Sequence, residues 1–417
     1  VVIPSDVAMR RVAAQLLASP LPARPTAAQR VQTVVQVVGQ VLAVQAQDLR
    51  GLRLAIRSRA AGLTVADVDR AFAERRLVVT WLNRGTLHLV RAEDYGWLHA
   101  LTASRQEVNV RRRLGEEGVS PAEAERGVAL VERALADDGP LSRAQLRDRL
   151  AAAGVPVVGQ ALIHILGLAS LRGLLVRGPI VGSDQAYVLV RDWLGTAAET
   201  SVAVTPVAVT SVAVDAAPLA GVGDSWTPVP VADEAGGSES DRDTVLARLT
   251  VRYLAAHGPA GDRDLAAWSG LPLTDARRGL ALAASSGRTE PAGAGLADLA
   301  GRPHGLGDVP WDEVSPDSLP TRLLGPFDPI LHGWAAREWV TGPYRSIVTV
   351  NGIFRAIALV AGRAAGTWTM PAGQVSLAMF EPLPAAVELA LRAESADVQR
   401  FFAAGPGPAA GDPPGAR

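Results

Sequence analysis

Gln45-Ala46-Gln47-Asp48 closes a long apolar stretch, and Arg50, Arg53, Arg57 and Arg59 follow within a dozen residues. Two primary amides spaced by one residue carry no charge and move no proton at neutral pH. Each offers a carbonyl acceptor and an NH2 donor. Such a pair suits chemistry that needs a water held in place and a developing charge stabilised rather than a proton transferred. The plain alternative is that the glutamines decorate a helix end. Asp48 is the rival for chemistry, because a carboxylate activates water or stabilises a cation better than an amide does. It could equally pair with Arg50 or cap the next helix.

Which way the amides point depends on the backbone. Gln32, Gln36 and Gln40 recur every four residues, so on a helix over 27–44 they form an exposed polar stripe. Continuing that helix places Gln45 about 140° from the stripe, on the side held by valines. If the chain instead becomes extended near Val44, the i, i+2 spacing turns Gln45 and Gln47 the same way. Further along, Asn83-Arg84-Gly85 sits between β-branched and aromatic runs as a hairpin turn. This puts Arg84 at the turn and Thr86 and His88 on one face of a strand. Arg50, Arg53 and Arg57 would line one helical face at spacings of three and four.

Those elements belong to a longer rhythm. Helices over 6–17, 27–44 and 65–75 precede the Asn-Arg-Gly hairpin, the pattern of a winged helix. The stretches ERALADDGPLSRAQL and VRYLAAHGPAGDRDL correspond, each with a Gly-Pro break between two helices, and mark an internal repeat. The expected architecture is α+β and mainly α, with three tandem winged-helix domains and a small C-terminal β module. The boundaries read as 1–118 (winged helix 1), 119–196 (winged helix 2), 197–240 (a low-complexity Val/Ala/Thr linker), 241–318 (winged helix 3), 319–404 (the β module with a closing helix) and 405–417 (a disordered tail). Within the β module, Asn351-Gly352 and Ala361-Gly362-Arg363 are turn signals.

Composition narrows the function further. With 417 residues, 48% hydrophobic and 20% charged, the chain has ample core for several domains. No apolar run reaches the length of a membrane span, and the first residues lack the order of a secretory signal; a cytoplasmic, nucleoid-associated location is expected. The absence of cysteine removes thiolate nucleophiles, iron–sulfur clusters and cysteine zinc sites. The six histidines include no metal-binding spacing, so no metal and no cofactor are expected. Every basic residue is arginine; without lysine, a Schiff base could form only on a terminal amine. Residues 1–120 carry a net +7 and the remainder −8, which suggests a polyanion at one surface of the N-terminal third.

The order VQAQD, TWLNRGTLHLVRAEDY, the tandem winged-helix rhythm, LLGPFDPILHGW and GIFRAIALVAGRAAGTW resembles the AlkZ/YcaQ-like family of winged-helix DNA glycosylases. The resemblance covers most of the chain outside 197–240. Glutamine at both ends of the Gln-x-Gln motif places it with the AlkZ-like branch, since other branches carry aspartate at the second position. It implies tandem winged helices that bind double-stranded DNA and remove alkylated purines, including bulky N7 adducts and interstrand cross-links; the lack of lysine adds the expectation of a monofunctional enzyme without lyase activity, and the Gly/Pro-rich tail, which offers no dimer helix, that of a monomer. Gln45 and Gln47 are then the catalytic pair, with Asp48 auxiliary. Arg50, Arg53, Arg57, Arg59, Arg84, Thr86, His88, Arg111, Arg112 and Arg113 are the candidate DNA contacts. The chain departs from the family in ILHGWAARE after the FDP turn, where relatives continue with a tyrosine and a basic segment. The alternative is a non-catalytic winged-helix DNA binder, a transcriptional regulator or lesion sensor. A nucleoid structural protein fits poorly with the −8 of the later part.

Overall fold

The computed structural model describes residues 5–181, 184–195 and 239–403. The 405–417 tail and the 197–240 linker lie outside them, save that 239 and 240 begin a helix. After α1 (Ser5–Ala14), one arrangement of helices and a hairpin occurs three times. The first copy is α2 (Ala27–Val41), β1 (Val44–Gln45), α3 (Leu49–Arg57), α4 (Val65–Ala73) and the hairpin β2 (Leu77–Leu82) and β3 (Thr86–Arg91). Helices α5 (Ala92–Thr102) and α6 (Ser104–Glu116) lead to the second: α7 (Pro121–Asp138), α8 (Arg143–Ala152), α9 (Ala161–Leu171), β4 (Leu175–Val181) and β5 (Asp184–Leu189), followed by α10 (Val190–Leu194). The third is α11 (Glu239–His257), α12 (Asp262–Ser269), α13 (Leu273–Ser285), β6 (Thr289–Pro291) and β7 (Ala297–Leu299). Two short strands, β8 (Gly305–Leu306) and β9 (Val309–Pro310), then precede β10 (Arg322–Leu324), α14 (Glu338–Thr341), β11 (Ile357–Val360), β12 (Arg363–Thr369), β13 (Ser376–Met379) and α15 (Ala385–Ala403). The whole is mixed α and β, and mainly helical.

Local chemistry explains the element ends. Thr26 caps α2 with Gln29 returning the bond to its backbone, and at α4 the backbone amide and hydroxyl of Thr64 both donate to the Asp67 carboxylate. Val31, Val34, Val38 and Val41 bury one face of α2 at helical spacing. The helix stops at Val41, three residues before the expected end, where Leu42 turns to φ 71°. Tertiary pairing is the reason: the next residues join β3, with Val44 opposite Leu89 and Gln45 opposite His88. Gln40 also departs from the expected solvent stripe, donating its amide to the Ala255 carbonyl of α11 at 2.8 Å.

An extended step between the first two helices of each copy recurs in the same role. In the first copy it is β1 on β3. In the second, Leu141 just after Gly139-Pro140 bridges Tyr187 on the hairpin's return strand, and in the third Ala260 after Gly258-Pro259 bridges Ala297. The hairpins do not all stand alone, however. β2 pairs with β4, fusing the first two into one five-stranded sheet in the order β1-β3-β2-β4-β5. β2 is buried at every position, as expected of a strand with neighbours on both edges and both faces covered.

The C-terminal strands form an antiparallel sheet in the order β10-β11-β12-β13. Ala361 and Gly362, at φ 48° and 74°, make the two-residue turn between β11 and β12. Asn351-Gly352 turns a smaller hairpin outside that sheet, closed by a bridge between Val348 and Phe354. This module packs on α3: Leu54 joins Leu323, Ala358, Trp368, Leu391 and Val398 in one apolar cluster. Contact is close enough that a side chain at Gly51 would begin 2.5 Å from the Pro326 carbonyl.

A fully buried ion pair locks the same junction. Both Arg59 and Asp328 are 0% exposed, joined by bonds of 2.8 and 2.9 Å. Asp328 also accepts from the Ile330 amide, while Arg59 donates to Gln15, whose amide reaches the Ala256 carbonyl. Replacing Asp328 by alanine strands a buried guanidinium and should cost about 3–5 kcal/mol. Urea unfolding of Asp328→Ala against wild type measures it; an unchanged midpoint would show that the pair does not hold the junction.

Candidate active site

Because α2 ends early, Gln45 lies on extended backbone, and Gln47 falls in the bend that leads into α3. Gln45 is 5% exposed, and its amide makes no side-chain hydrogen bond among the described residues. Its strand partner His88 stands directly opposite, within reach of a cross-strand neighbour. Ala46 points into the core and donates its amide to the Leu87 carbonyl at 2.8 Å. Gln47 is exposed and lines an open cleft of about 600 Å³ with Asp48, Leu49, Phe327, Asn351, Gly352 and Ile353.

Asp48 caps α3 by accepting from the amides of Arg50 and Gly51 at 2.7 and 3.1 Å. This settles one of its alternatives, since the carboxylate meets Arg50 through the backbone amide and not through an ion pair. His88 is buried, with Nδ1 2.9 Å from the Thr86 carbonyl, so Nδ1 carries the proton and Nε2 the lone pair. Burial, assisted by the nearby Arg84, lowers its pKa to about 3. It is therefore a neutral ring behind Gln45. A histidine enclosed in this way does not enter a DNA groove.

The arginines divide by environment. Arg59 is enclosed by Asp328, and Arg57 is buried against Glu394 and Asp397 of α15 at 2.8 and 2.7 Å. These two hold the C-terminal module onto α3, and a phosphate cannot reach them without breaking the core. Arg53 is mostly covered and bonds Asp69 at 2.6 Å. Arg50 is exposed, its guanidinium 5.1 Å from the centre of the Phe402 ring. Arg84 is exposed at the hairpin turn and donates to the Ala267 carbonyl at 2.8 Å. Thr86 is half-buried, and its hydroxyl has no partner. On α6, Arg111 pairs with Glu107 and Glu125, Arg112 with Glu116, and exposed Arg113 has no carboxylate partner among the described residues. Arg57, Arg59 and Arg111 are thus matched by acids from later in the chain, and Arg53 and Arg112 by acids of the first 120 residues.

Phe327, absent from the sequence-derived candidates, forms the opposite wall. Its backbone is at φ 57°, a conformation costing of order 1 kcal/mol or more for a residue with a side chain. Its ring lies near-parallel to His332, with centroids 6.1 Å apart, and 5.8 Å from Phe354. His332 packs 3.9 Å from Phe354, its Nε2 is buried without a partner, and Arg337 lies 5.1 Å over Phe354. Burial lowers the His332 pKa to about 3, with Arg84, His88 and Arg337 adding to the effect. The LLGPFDPILHGW motif was the available signal; the left-handed Phe327 was not, because nothing in the sequence announces it. Among the described residues no group of three or more His, Asp or Glu could hold a metal ion, and no helix is long and apolar enough to cross a membrane.

A family model for AlkZ-like DNA glycosylases matches residues 38–401. An interstrand DNA cross-link repair glycosylase from Streptomyces sahachiroi is 26% identical over 376 residues, covering 87% of this chain and 89% of that protein. The solved structure of the Streptomyces sahachiroi DNA glycosylase AlkZ shares the fold, with a TM-score of 0.66 at 22% identity over 95% of this chain and 96% of that one.

His88, His257 and His332 all sit at about 3 rather than 6.5 because burial excludes the charged ring. Between those values the unfolded chain binds protons that the native chain refuses. Stability should therefore fall as pH drops from about 6.5 towards 3, by up to about 1.4 kcal/mol per pH unit for each ring. Urea unfolding at pH 7, 6 and 5 tests this, and equal stability at all three would contradict neutral rings.

Proposed function

From the premise that the chain belongs to the AlkZ-like family of DNA glycosylases, we propose that it hydrolyses the N-glycosidic bond of cationic N7-alkylated purines, including bulky adducts and interstrand cross-links. Gln45 and Gln47 are the catalytic pair. The observation that carries this reading is an unbonded, nearly buried Gln45 amide beside the neutral His88, one residue removed from Gln47 on the open cleft.

Alkylation at N7 makes the purine a cation, so when the C1′–N9 bond breaks both electrons go to the base and it departs neutral. No acid need protonate the leaving group. The sugar carries the positive charge until water adds at C1′ and loses a proton to solvent. The enzyme has to place that water and stabilise the sugar, and two amides supply both: a carbonyl accepts from the water, and NH2 groups donate to sugar or phosphate oxygens. Asp48 stands beside Gln47 as an auxiliary negative charge. Without lysine, no side-chain amine offers the Schiff base of a lyase.

We read the three repeated copies as winged helices arranged in tandem and the protein as a monomer. The domain limits are those of the sequence, with the first two hairpins sharing a sheet. Double-stranded DNA would meet the exposed arginines Arg50, Arg84 and Arg113, with Arg111 and Arg112 exchanging carboxylates for phosphates. The Thr86 hydroxyl is enclosed and does not face a phosphate. Arg53, Arg57 and Arg59 serve the fold.

Single-turnover excision from a duplex holding one N7-methylguanine, and from one holding a bulky N7 adduct, tests the assignment. Gln45→Ala and Gln47→Ala should each slow base release about a hundredfold or more, with duplex affinity changed less than about threefold. Affinity lost in parallel with rate would remove the pair from catalysis. No release by the wild type, despite salt-sensitive binding, would favour the non-catalytic DNA binder. Arg113→Ala and Arg84→Ala should each lower the slope of log affinity against log salt by about 0.9, whereas an unchanged slope excludes that residue as a phosphate contact.

A further inference from the structure

Of the side chains lining the cleft, one is charged, and it is the carboxylate of Asp48. A phosphate would be repelled there. The rest of the lining consists of the amides of Gln47 and Asn351, the aliphatic Leu49 and Ile353, and the ring of Phe327. An aromatic face beside a carboxylate is an environment for a flat cation, because the ring's quadrupole presents negative potential to it.

The position of Phe327 is over-determined. Its unfavourable φ is held by Asp328, which is locked to Arg59 in the next residue along. Pro326 is pressed on Gly51, and a side chain at Gly325 would begin 2.7 Å from Leu54. A strained backbone maintained by so many contacts and presenting a ring to an open cleft is a sign of function rather than of packing alone. The rings backing Phe327 bring no opposing charge of their own, since His332 stays neutral. Arg337 lies over Phe354 and is not among the lining residues.

We propose that this cleft receives the cationic purine of the damaged nucleotide and that Phe327 discriminates charged from neutral bases, stacking on the purinium while Asp48 faces it with a negative charge. The inference rests on the reading of the protein as an N7-alkylpurine glycosylase and assigns a recognition residue that the glutamine pair does not supply. Discrimination would then precede bond cleavage. An undamaged guanine of the same shape still stacks on the ring but lacks the charge that adds to the stack.

The test is equilibrium binding to two duplexes identical except at one position. One holds N7-methylguanine and the other its neutral isostere 7-methyl-7-deazaguanine, both on a 2′-fluoroarabino sugar that resists hydrolysis. Phosphate contacts are common to the two, so the ratio of their dissociation constants isolates the base charge. Wild type should prefer the cation about three- to thirty-fold. Phe327→Leu should bring the ratio close to one by weakening the cationic duplex several-fold more than the neutral one, and Phe327→Tyr should retain the ratio. Asp48→Asn keeps a good helix cap while removing the charge, and should lower the ratio independently of any folding defect in Phe327→Leu. A wild-type ratio of one, an undiminished ratio in Phe327→Leu or Asp48→Asn, or equal weakening of both duplexes by Phe327→Leu would each overturn the proposal. The two readings separate cleanly. A wild type that prefers the cationic duplex but releases no N7-methylguanine keeps the recognition site and loses the hydrolase reading; one that releases the base with a ratio of one does the reverse.

Discussion

The buried pair of Arg59 and Asp328 is the constraint on which the site depends. An ion pair without access to water gains little net stability, because desolvating two charges offsets most of their attraction. What it supplies is position. Arg59 lies just past the end of α3, whose first turn is capped by Asp48, and Asp328 follows Phe327 directly. The bond therefore sets the distance between the two walls of the cleft, although about 270 residues separate them in the chain. Gln15 extends the lock to α11 through the Ala256 carbonyl, so the first copy, the third copy and the C-terminal sheet meet at one guanidinium.

That geometry changes the meaning of the arginine-rich stretch after the glutamines. Its spacing suggested a cationic stripe for DNA, yet Arg57 and Arg59 face acids contributed by the C-terminal module. The opposite net charges of the first 120 residues and the remainder are in part the signature of chain ends neutralising one another. Arg10 with Asp298, and Arg11 with Asp264, repeat the pattern elsewhere. What is left over for the polyanion contact proposed above is the exposed guanidinium groups at the hairpin turn and on α6.

Features set by neighbours in sequence were legible there. Thr26 and Thr64 mark helix starts through bonds made within one turn, the Asn83-Arg84-Gly85 turn carries its own backbone preferences, and the Gly-Pro breaks separate helices as expected. The family was legible too, because its motifs are short and ordered. Features set by distant partners were not. The end of α2 depends on β3, the merging of two hairpins depends on Val79 meeting Arg177, and the burial of Arg59 depends on an aspartate in another module. Phe327 is the extreme case: phenylalanine disfavours its φ, so local propensity argues against the conformation that the surroundings enforce.

The extended step between the first two helices of each copy has a bearing on ancestry. In the second and third copies this step presents Leu141 and Ala260, both buried and chemically inert. In the first, the same register position presents Val44, equally buried, and the glutamines follow it in a connection three residues longer than in the other two copies. If the copies descend from one duplicated module, the ancestor needed only to hold a strand there, and on the proposed reading chemistry arose later, in residues added behind a strand already built for other reasons. On that reading reactivity was grafted onto one copy of three while its siblings kept the older role, which makes the silent copies a record of what the protein was before it acquired that chemistry.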